Sequence, residues 1–208
     1  MEQGGDAGRE AGKPSGFPKN RMEALTDGIF AFAMTLLVLS LNVPEGLHDP
    51  SDAAIAAMLV GQIPALFHFF LAFFILASFW IAHHAQVDRI RHIDRTFLWI
   101  NIAALMFVVL VPFSVSLIGD YPDGTFATVI FEANLLFIGL LFAAQWRYAA
   151  HDGRLIRPGT DIRRGNQRAM VVPVVSVIAI LLALAGWTWS TAVYAIIPLV
   201  MRFLPAER

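Results

Sequence analysis

Long apolar segments separated by short charged ones are the feature that most constrains how this 208-residue chain can fold. The segment after Arg168, for example, has no charged residue until Arg202. A soluble domain carries about a quarter charged residues, whereas this chain has 15% charged and 57% apolar residues. Because a helix needs about 20 mostly apolar residues to cross a bilayer, the pattern predicts an all-α, polytopic membrane protein.

Hydropathy predicts six transmembrane helices. They cover residues 22–43, 54–84, 96–118, 125–148, 169–185 and 191–201. The last two are expected to form a tight hairpin, and one long tilted helix is the competing interpretation of that pair. The membrane domain is then predicted at residues 21–204, between a disordered tail at residues 1–20 and a short end at residues 205–208.

The positions of lysine and arginine predict the orientation of these helices. All 15 lie in the N-terminal tail, after the sixth span, or around the connections between spans two and three and between spans four and five. Six spans place all of them on one side of the membrane, which we call the arginine-rich side. Because basic connections favour the cytoplasm, both termini are expected to be cytoplasmic.

The first span carries an acidic residue close to its start. Asp27 lies about one and a half helical turns after Arg21. An ionisable residue at the end of a membrane helix is costly unless it is paired or hydrated, so Asp27 is a candidate functional residue. The alternative is that Asp27 and Thr26 cap the helix and pair with an arginine of a loop.

An apolar stripe follows on the same helix. Phe32, Leu36 and Leu39 are spaced i, i+4 and i+7, which places them on one face, with Thr35 beside them. If this face lined the axis of an oligomer, its bulky side chains would form a hydrophobic constriction that gates by dewetting. Periodicity alone favours a face turned to lipid or to a neighbouring helix, because most membrane helices have apolar stripes.

Polar residues in the later spans are candidates for contacts between helices. His83 and His84 point about 100° apart on a helix, so we expect hydrogen-bonding roles for them and no metal site. Cysteine is absent, which excludes disulfides and Cys-ligated zinc. Asn101 and Asn134 are expected to bond neighbouring helices. Glu132 is the one acidic residue well inside a span, and a proton-coupling role stays open for it.

Motifs in the first three predicted spans, in order, make the chain similar to the transmembrane protein 175 family. The family's first motif is an arginine, then Phe-Ser-Asp, then an apolar helix. The corresponding residues here are Arg21, Leu25-Thr26-Asp27 and Thr35-Leu36-Leu37-Val38-Leu39. The later motifs are Phe79-Trp80-Ile81-Ala82-His83-His84, Asp94-Arg95, Leu98-Trp99-Ile100-Asn101 and Val111-Pro112-Phe113-Ser114. The resemblance covers about residues 1–120, and beyond them only the number of spans and their hydropathy agree.

The resemblance implies a homotetramer in the bacterial inner membrane, with six helices per chain and the first helix lining the pore. Potassium, and sodium where selectivity is weak, would pass without a carbonyl selectivity filter. The partners implied are further copies of the chain and the lipid bilayer, with no nucleic acid and no cofactor. Carried onto this sequence, the constriction residues are Phe32, Leu36 and Leu39, with Thr35 near them as a residue that affects selectivity.

The same resemblance implies a hydrogen-bond network that ties the first helix to its neighbours. Its members would be Arg21, Thr26, Asp27, Trp80, and His83 or His84. The sequence does not show which histidine takes part.

Two residues depart from the family pattern. Leu25 stands where the family motif has an aromatic residue, and Phe32 stands where the constriction is usually aliphatic. Four phenyl rings would plug the axis more tightly, or would offer ring faces to a cation.

The leading hypothesis is therefore a passive, weakly selective potassium channel. We do not expect an enzyme, because no nucleophile, base and orienting group converge in the motifs. One alternative is a proton-coupled secondary transporter that uses Asp27, Glu132 or His68. The other is a non-conducting membrane scaffold whose basic segment, residues 147–168, binds anionic lipid or a partner.

Overall fold

The structure is a computed structural model that describes residues 18–41, 51–122 and 124–203. These residues form helices and short connections, and the β-structure among them is an isolated bridge between Ile90 and Ile156. Most of the predicted tail (residues 1–17), the predicted C-terminal end and the connection at residues 42–50 lie outside the described residues.

Seven α-helices and three short 3₁₀ segments make up the described part of the chain. The α-helices are α1 (Lys19–Leu36), α2 (Asp52–Gly61), α3 (Ile63–Val87), α4 (Arg95–Asp120), α5 (Thr125–Ala150), α6 (Ile162–Leu184) and α7 (Ile197–Phe203). The 3₁₀ segments are Leu37–Ser40, His151–Gly153 and Ser190–Ile196. Five helices are long and apolar enough to cross a membrane: α1 with its 3₁₀ extension, α3, α4, α5 and α6.

The predicted second span is divided in the structure at Gln62. The backbone N–H of Gln62 closes α2 by donating to the carbonyl oxygens of Met58 and Leu59, each at 3.1 Å. Pro64 explains the division, because in a continuous helix its ring would clash with the preceding turn and its missing N–H would leave a carbonyl unpaired. In the first turn of α3, where Pro64 lies, neither penalty applies.

Helix α6 begins at Ile162, well before the start that hydropathy predicts at residue 169. Asp161 caps it, since its carboxylate accepts a hydrogen bond from the backbone N–H of Arg164 at 3.1 Å. A cap of this kind satisfies an amide group that the first helical turn leaves free. The helix therefore extends past the apolar segment, and its basic first turns lie on the arginine-rich side.

A sharp turn after α6 reverses the chain. Gly186 has a φ of +85°, a left-handed conformation that favours glycine, and Trp187 donates its backbone N–H to Leu182 at 3.0 Å. The chain then continues as the 3₁₀ segment and α7. Ser190–Met201 is apolar but shorter than the five long helices, and it packs back against α6.

The start of α1 and the end of α7 each lie near residues of the arginine-rich segments. Lys19, at the start of α1, donates from Nζ to the carbonyl oxygen of Ile90 at 3.2 Å. Met201, near the end of α7, lines a cavity together with Arg168 and Gly165. The far end of α1 lies by the end of α4, because a Cβ atom on Gly119 would be 3.8 Å from the carbonyl oxygen of Ser40.

Helix α5 packs against both α4 and α6 and forms the centre of the chain. Small residues allow its close approach to α6. A Cβ atom on Gly139 would lie 2.6 Å from Cγ1 of Val172, and one on Gly165 would overlap the ring of Trp146. Glycine at such positions lets helix backbones come close in a membrane, where van der Waals packing drives association.

Candidate functional site

Helix α1 has one face buried within the chain and one face exposed. The buried face contains Met22, Thr26, Phe30 and Ala33, whose spacing is that of one side of a helix. This face packs against α3 and α4. The helix is therefore fixed to its own chain along one side only.

The exposed face carries the predicted constriction residues. Phe32 is 59% exposed and Leu39 is 69% exposed, while Leu36 is partly exposed and Thr35 is exposed. All four belong to the first helix and its 3₁₀ extension, which is long and apolar enough to cross a membrane. In a membrane such a face contacts either lipid chains or another copy of the chain.

Thr35 bonds within its own helix. Its hydroxyl donates a hydrogen bond to the carbonyl oxygen of Phe32 at 2.7 Å. Threonine does this commonly in helices, and the bond uses the one hydrogen that the hydroxyl has. The oxygen of Thr35, an exposed residue, keeps both of its lone pairs free to accept.

Asp27 connects α1 to α3 through Trp80. The indole Nε1–H of Trp80 donates to Oδ1 of Asp27 at 2.7 Å. The ring of His84 stacks on Trp80 with centroids 6.0 Å apart, and its Nε2 lies 3.7 Å from the carboxylate of Asp88. Hydrogen bonds to a charged acceptor are stronger than neutral ones, so this pair holds the arginine-rich end of α1 against α3.

Thr26 connects α1 to α4 on the buried face. Asn101 donates from Nδ2 to the hydroxyl oxygen of Thr26 at 3.0 Å. Oδ1 of Asn101 accepts from Nε2 of Gln145 at 3.1 Å and lies 2.8 Å from Nε2 of His83. Since Oδ1 can only accept, the His83 ring carries a hydrogen on Nε2.

Gln86 extends this network further. Its Nε2 donates to Oε1 of Gln145 and to the carbonyl oxygen of Phe142, both at 3.3 Å. Asn101 and Gln145 are fully buried, and Thr26, His83 and Gln86 are nearly so. We call these five residues the polar network. It joins α1, α3, α4 and α5, with each interhelical bond contributing about 0.6 kcal/mol on average.

The structure places the candidate residues of the motif in three different ways. Thr26 and His83 belong to the polar network, and Asp27 and Trp80 form a separate bond beside it. His84 contacts this second pair through the ring of Trp80. Arg21 is exposed, and no ion pair joins it to Asp27 in the described part of the chain.

Two members of the polar network are not among the residues that sequence reasoning selects. Gln86 and Gln145 are polar residues within apolar segments, and Gln86 follows His83 at i+3, on the same face of α3. That spacing was the one available signal for Gln86. Asn101 is expected only to bond a neighbouring helix, and the structure gives it the central position.

Glu132, on α5, lies apart from this site and is buried against the last 3₁₀ segment. Ser190 donates from Oγ to Oε1 of Glu132 at 2.7 Å, and Tyr194 lies with its hydroxyl 3.5 Å from the backbone carbonyl oxygen of the same residue. Oε2 of Glu132 has no hydrogen-bond partner within the described ranges. The contact fixes the short last segment to α5.

Asp94 stabilises the arginine-rich side outside the membrane spans. It caps α4 by accepting from the backbone N–H of Phe97 at 2.9 Å, and it accepts from the hydroxyl of Tyr148 on α5 at 2.6 Å. Desolvation would raise the pKa of Asp94, but these hydrogen bonds and the positive charge of Arg154 together hold it below its usual value.

Residues 18–41, 51–122 and 124–203 contain no group of three or more His, Asp or Glu side chains placed to hold an ion. The two adjacent histidines have separate contacts, His83 with Asn101 and His84 with Trp80.

Comparison with known proteins gives consistent matches. The profile of the family described as endosomal/lysosomal potassium channel TMEM175 matches residues 21–112. A protein named as a potassium channel from Chamaesiphon minutus is 31% identical over 145 residues, which are 68% of this chain and 70% of that protein. Another protein so named, from Streptomyces collinus, is 27% identical over 145 residues, covering 68% and 69%.

A solved structure has the same fold. It is the crystal structure of a lysosomal potassium-selective channel TMEM175 homolog from Chamaesiphon minutus, with a TM-score of 0.78 and 25% sequence identity. The superposition covers 90% of this chain and 98% of that one. The match therefore extends over nearly all helices of both chains.

Proposed function

Because this chain belongs to the family of the endosomal/lysosomal potassium channel TMEM175, we propose that it forms a passive, weakly selective, potassium-permeable channel. Two relatives at 27% and 31% identity are named as potassium channels. Channel activity needs no cofactor and no covalent chemistry, so this proposal makes the protein a channel rather than an enzyme, with potassium and sodium as its permeant ions.

The exposed face of α1 carries the proposal. Four copies arranged around an axis, each turning this face inward, would enclose a pore lined by Phe32, Thr35, Leu36 and Leu39. Closed cyclic symmetry gives every copy the same environment, and the exposed apolar area would be removed from lipid. The narrowest ring, at Phe32, would exclude water unless it widens, as hydrophobic gates do.

The polar network supports a fixed position for this helix. A pore-lining helix must keep its orientation to within a fraction of a turn, or its constriction residues rotate away from the axis. Thr26 and Asp27 provide two attachments on adjacent residues, to α4 and to α3. In this arrangement Arg21, which is exposed, does not attach the helix to its neighbours and lies at the pore entrance on the arginine-rich side.

Six crossings with both termini in the cytoplasm complete the proposal. Lys19 and Met201 both lie near residues of the arginine-rich side, which supports a chain that leaves and returns on that side. The positive-inside rule makes this side cytoplasmic, and the bacterial relatives favour the inner membrane. The segment from Ser190 to Met201 would make the sixth crossing by starting within the membrane, beside Glu132.

Ion flux into liposomes tests the proposal. Purified protein is reconstituted, and potassium, sodium and proton fluxes are measured for the wild type, Phe32→Ala and Phe113→Ala. Phe113 is a matched control, because it is 63% exposed against 59% for Phe32 and lies on α4, which packs between α1 and α5. We expect dissipative potassium flux that rises several-fold in Phe32→Ala, where the ring is smaller, and is unchanged in Phe113→Ala.

Other results would contradict specific parts of the proposal. Equal effects of the two substitutions would remove Phe32 from the constriction. Saturable flux that depends on a proton gradient would favour the proton-coupled transporter instead. No flux from correctly inserted protein would favour the scaffold.

A further inference from the structure

A cavity between α3, α5 and α6 combines apolar walls with arginine at its edge. Its volume is about 70 Å³. The apolar part of its lining includes Phe79, Ala82, Phe142, Val172 and Met201. Arg89, just after α3, and Arg168, on α6, line it on the arginine-rich side. We call this cavity the interhelical slot.

A wider and more open depression lies next to the slot. Its volume is about 380 Å³, and its lining includes Asp88, Arg89, Arg157 and Thr160. Arg89 lines both spaces. The carboxylate of Asp88, which would repel an anion, lies 3.7 Å from Nε2 of His84. Two arginines against one aspartate leave this depression positive, and Arg168 adds a further positive charge beside it.

From this arrangement we propose that the slot and the depression together bind an anionic phospholipid. Its phosphate group would be held between Arg89 and Arg168, with the rest of the headgroup in the open depression, and part of an acyl chain would lie in the slot. Arginine binds phosphate through charge-assisted and often bidentate hydrogen bonds. Basic pockets between membrane helices on the cytoplasmic side are suited to anionic headgroups.

Only an amphiphile matches both halves of the site. Free phosphate would be attracted by the arginines but would gain nothing from Phe79, Ala82 or Met201. A neutral lipid would fill the apolar slot but would bring no negative charge to the arginines that line it. The order of groups along the site, with arginine at one edge and apolar walls beyond it, also matches the order of headgroup and acyl chain in a phospholipid.

The site also contacts the polar network. His83 and Gln86 line the slot, and His83 reaches Thr26 of α1 through a single residue, Asn101. A lipid in the slot therefore touches side chains two hydrogen bonds away from the proposed pore helix. Lipid binding is expected to change ion flux, and this second consequence rests on the proposed channel function, whereas binding itself does not.

Lipid binding to the purified protein tests the first consequence without any flux. The detergent-solubilised protein is titrated with phosphatidylglycerol, and separately with phosphatidylcholine as the neutral lipid. Native mass spectrometry measures the lipid bound. We expect phosphatidylglycerol to bind more tightly than phosphatidylcholine. In the double variant Arg89→Gln with Arg168→Gln, we expect the affinity for phosphatidylglycerol to fall roughly fivefold for each arginine removed. The control pair is Arg91→Gln with Arg163→Gln, which removes the same charge from exposed side chains of the same side.

Ala82→Leu is the second variant, and it keeps both arginines while filling the slot. We expect it to weaken phosphatidylglycerol binding as well, and we expect inorganic phosphate to compete poorly. Equal losses in the two arginine pairs would overturn the proposal, because general surface charge would then account for binding. Full affinity in Ala82→Leu, with effective competition by phosphate, would overturn it in favour of a simple anion site.

Flux in liposomes with and without phosphatidylglycerol tests the coupling to the pore. We expect flux to depend on the anionic lipid in the wild type and in the control pair, and to lose that dependence in Arg89→Gln with Arg168→Gln. Lipid binding without any effect on flux would overturn the coupling alone. Absence of flux under every condition would overturn the channel function, while the mass spectra would still decide the lipid site.

Discussion

Asn101 makes more contacts between helices than any other single side chain of the polar network. It is fully buried, and its amide group bonds Thr26, His83 and Gln145 on three different helices. A side chain in this position fixes the relative rotation of those helices, because each bond has its own direction.

Asn101→Leu should destabilise the protein. The substitution leaves three buried polar groups without their partner, at a cost of about 1–3 kcal/mol for each that stays unsatisfied. Thermal unfolding in detergent measures the effect. Asn134→Leu is the matched control, because Asn134 has one long bond, 3.4 Å to Ser114, and its Oδ1 has no partner among the described residues. Equal losses of stability would argue against a special role for Asn101.

Single residues also show how far a sequence can locate this site. Asp27 and Trp80 were recognisable because they lie in motifs of a known family, and the structure joins them by a hydrogen bond. The choice between His83 and His84 was not predictable, since it depends on which face of α3 meets α4. Gln145 was missed because nothing in its local sequence indicates a partner 44 residues away.

The contact between α5 and α6 depends on glycine at two positions. Gly165→Ala should destabilise this helix pair, because the added methyl group would overlap the ring of Trp146 and force one helix to move. Overpacking of this kind costs about 1–3 kcal/mol. Gly61→Ala is the control, since no atom lies within 4 Å of a Cβ placed there. Thermal unfolding of the two variants in detergent makes the comparison, and a loss confined to Gly61→Ala would contradict this account.

The start of α4 should give the protein an acid-sensitive contact. Hydrogen bonds and Arg154 hold the pKa of Asp94 below its usual value, 3.8. Because folding lowers this pKa, the ionised Asp94 stabilises the protein fully at pH values above 3.8. This stabilisation is lost as the pH falls through the lowered pKa of the folded state. We therefore expect Asp94→Asn to reduce stability at neutral pH and to weaken the loss of stability on acidification below about pH 4.

Denaturant unfolding at pH 7 and at low pH measures this dependence. Asp88→Asn serves as the control, because Asp88 is an exposed carboxyl on the same connection whose contact is with His84. A pH dependence that is identical in wild type and Asp94→Asn would show that another group is responsible.

Helix boundaries show a second limit of sequence reasoning. The division at Gln62 follows from Pro64, which is visible in the sequence. A hydropathy window does not detect the division, because Gln62 and Pro64 barely lower the mean hydropathy of a long apolar segment. The early start of α6 follows from a cap at Asp161, and a hydropathy window excludes such charged turns. Local hydrogen-bond chemistry, rather than apolarity, sets these ends.

In the whole molecule, the absence of cysteine makes the oligomer directly testable. Leu39→Cys is expected to give covalent dimers with a short thiol-specific cross-linker, because copies around a pore axis bring this residue together. Phe113→Cys should give few, since we place it away from that axis. Gel electrophoresis of reconstituted protein separates the products. Abundant cross-linking at Phe113 with none at Leu39 would mean that a different face forms the assembly.

The overall architecture was largely predictable, whereas the position of the last segment was not. Apolar length and the distribution of arginine define the long helices, and the structure has five of suitable length. The final 3₁₀ segment depends on Ser190 reaching Glu132 across 58 positions of sequence. Long-range contacts of that kind leave no periodic signal in the chain.

The bond between Thr35 and the carbonyl oxygen of Phe32 has a consequence for the sign of the charge that can pass. In the proposed pore, each Thr35 hydroxyl has already donated its hydrogen to its own helix. An anion at this level would find no donor, whereas a cation would meet a ring of oxygen lone pairs. Discrimination against anions would then arise from the rotamer of an uncharged side chain, without any acidic residue in the pore.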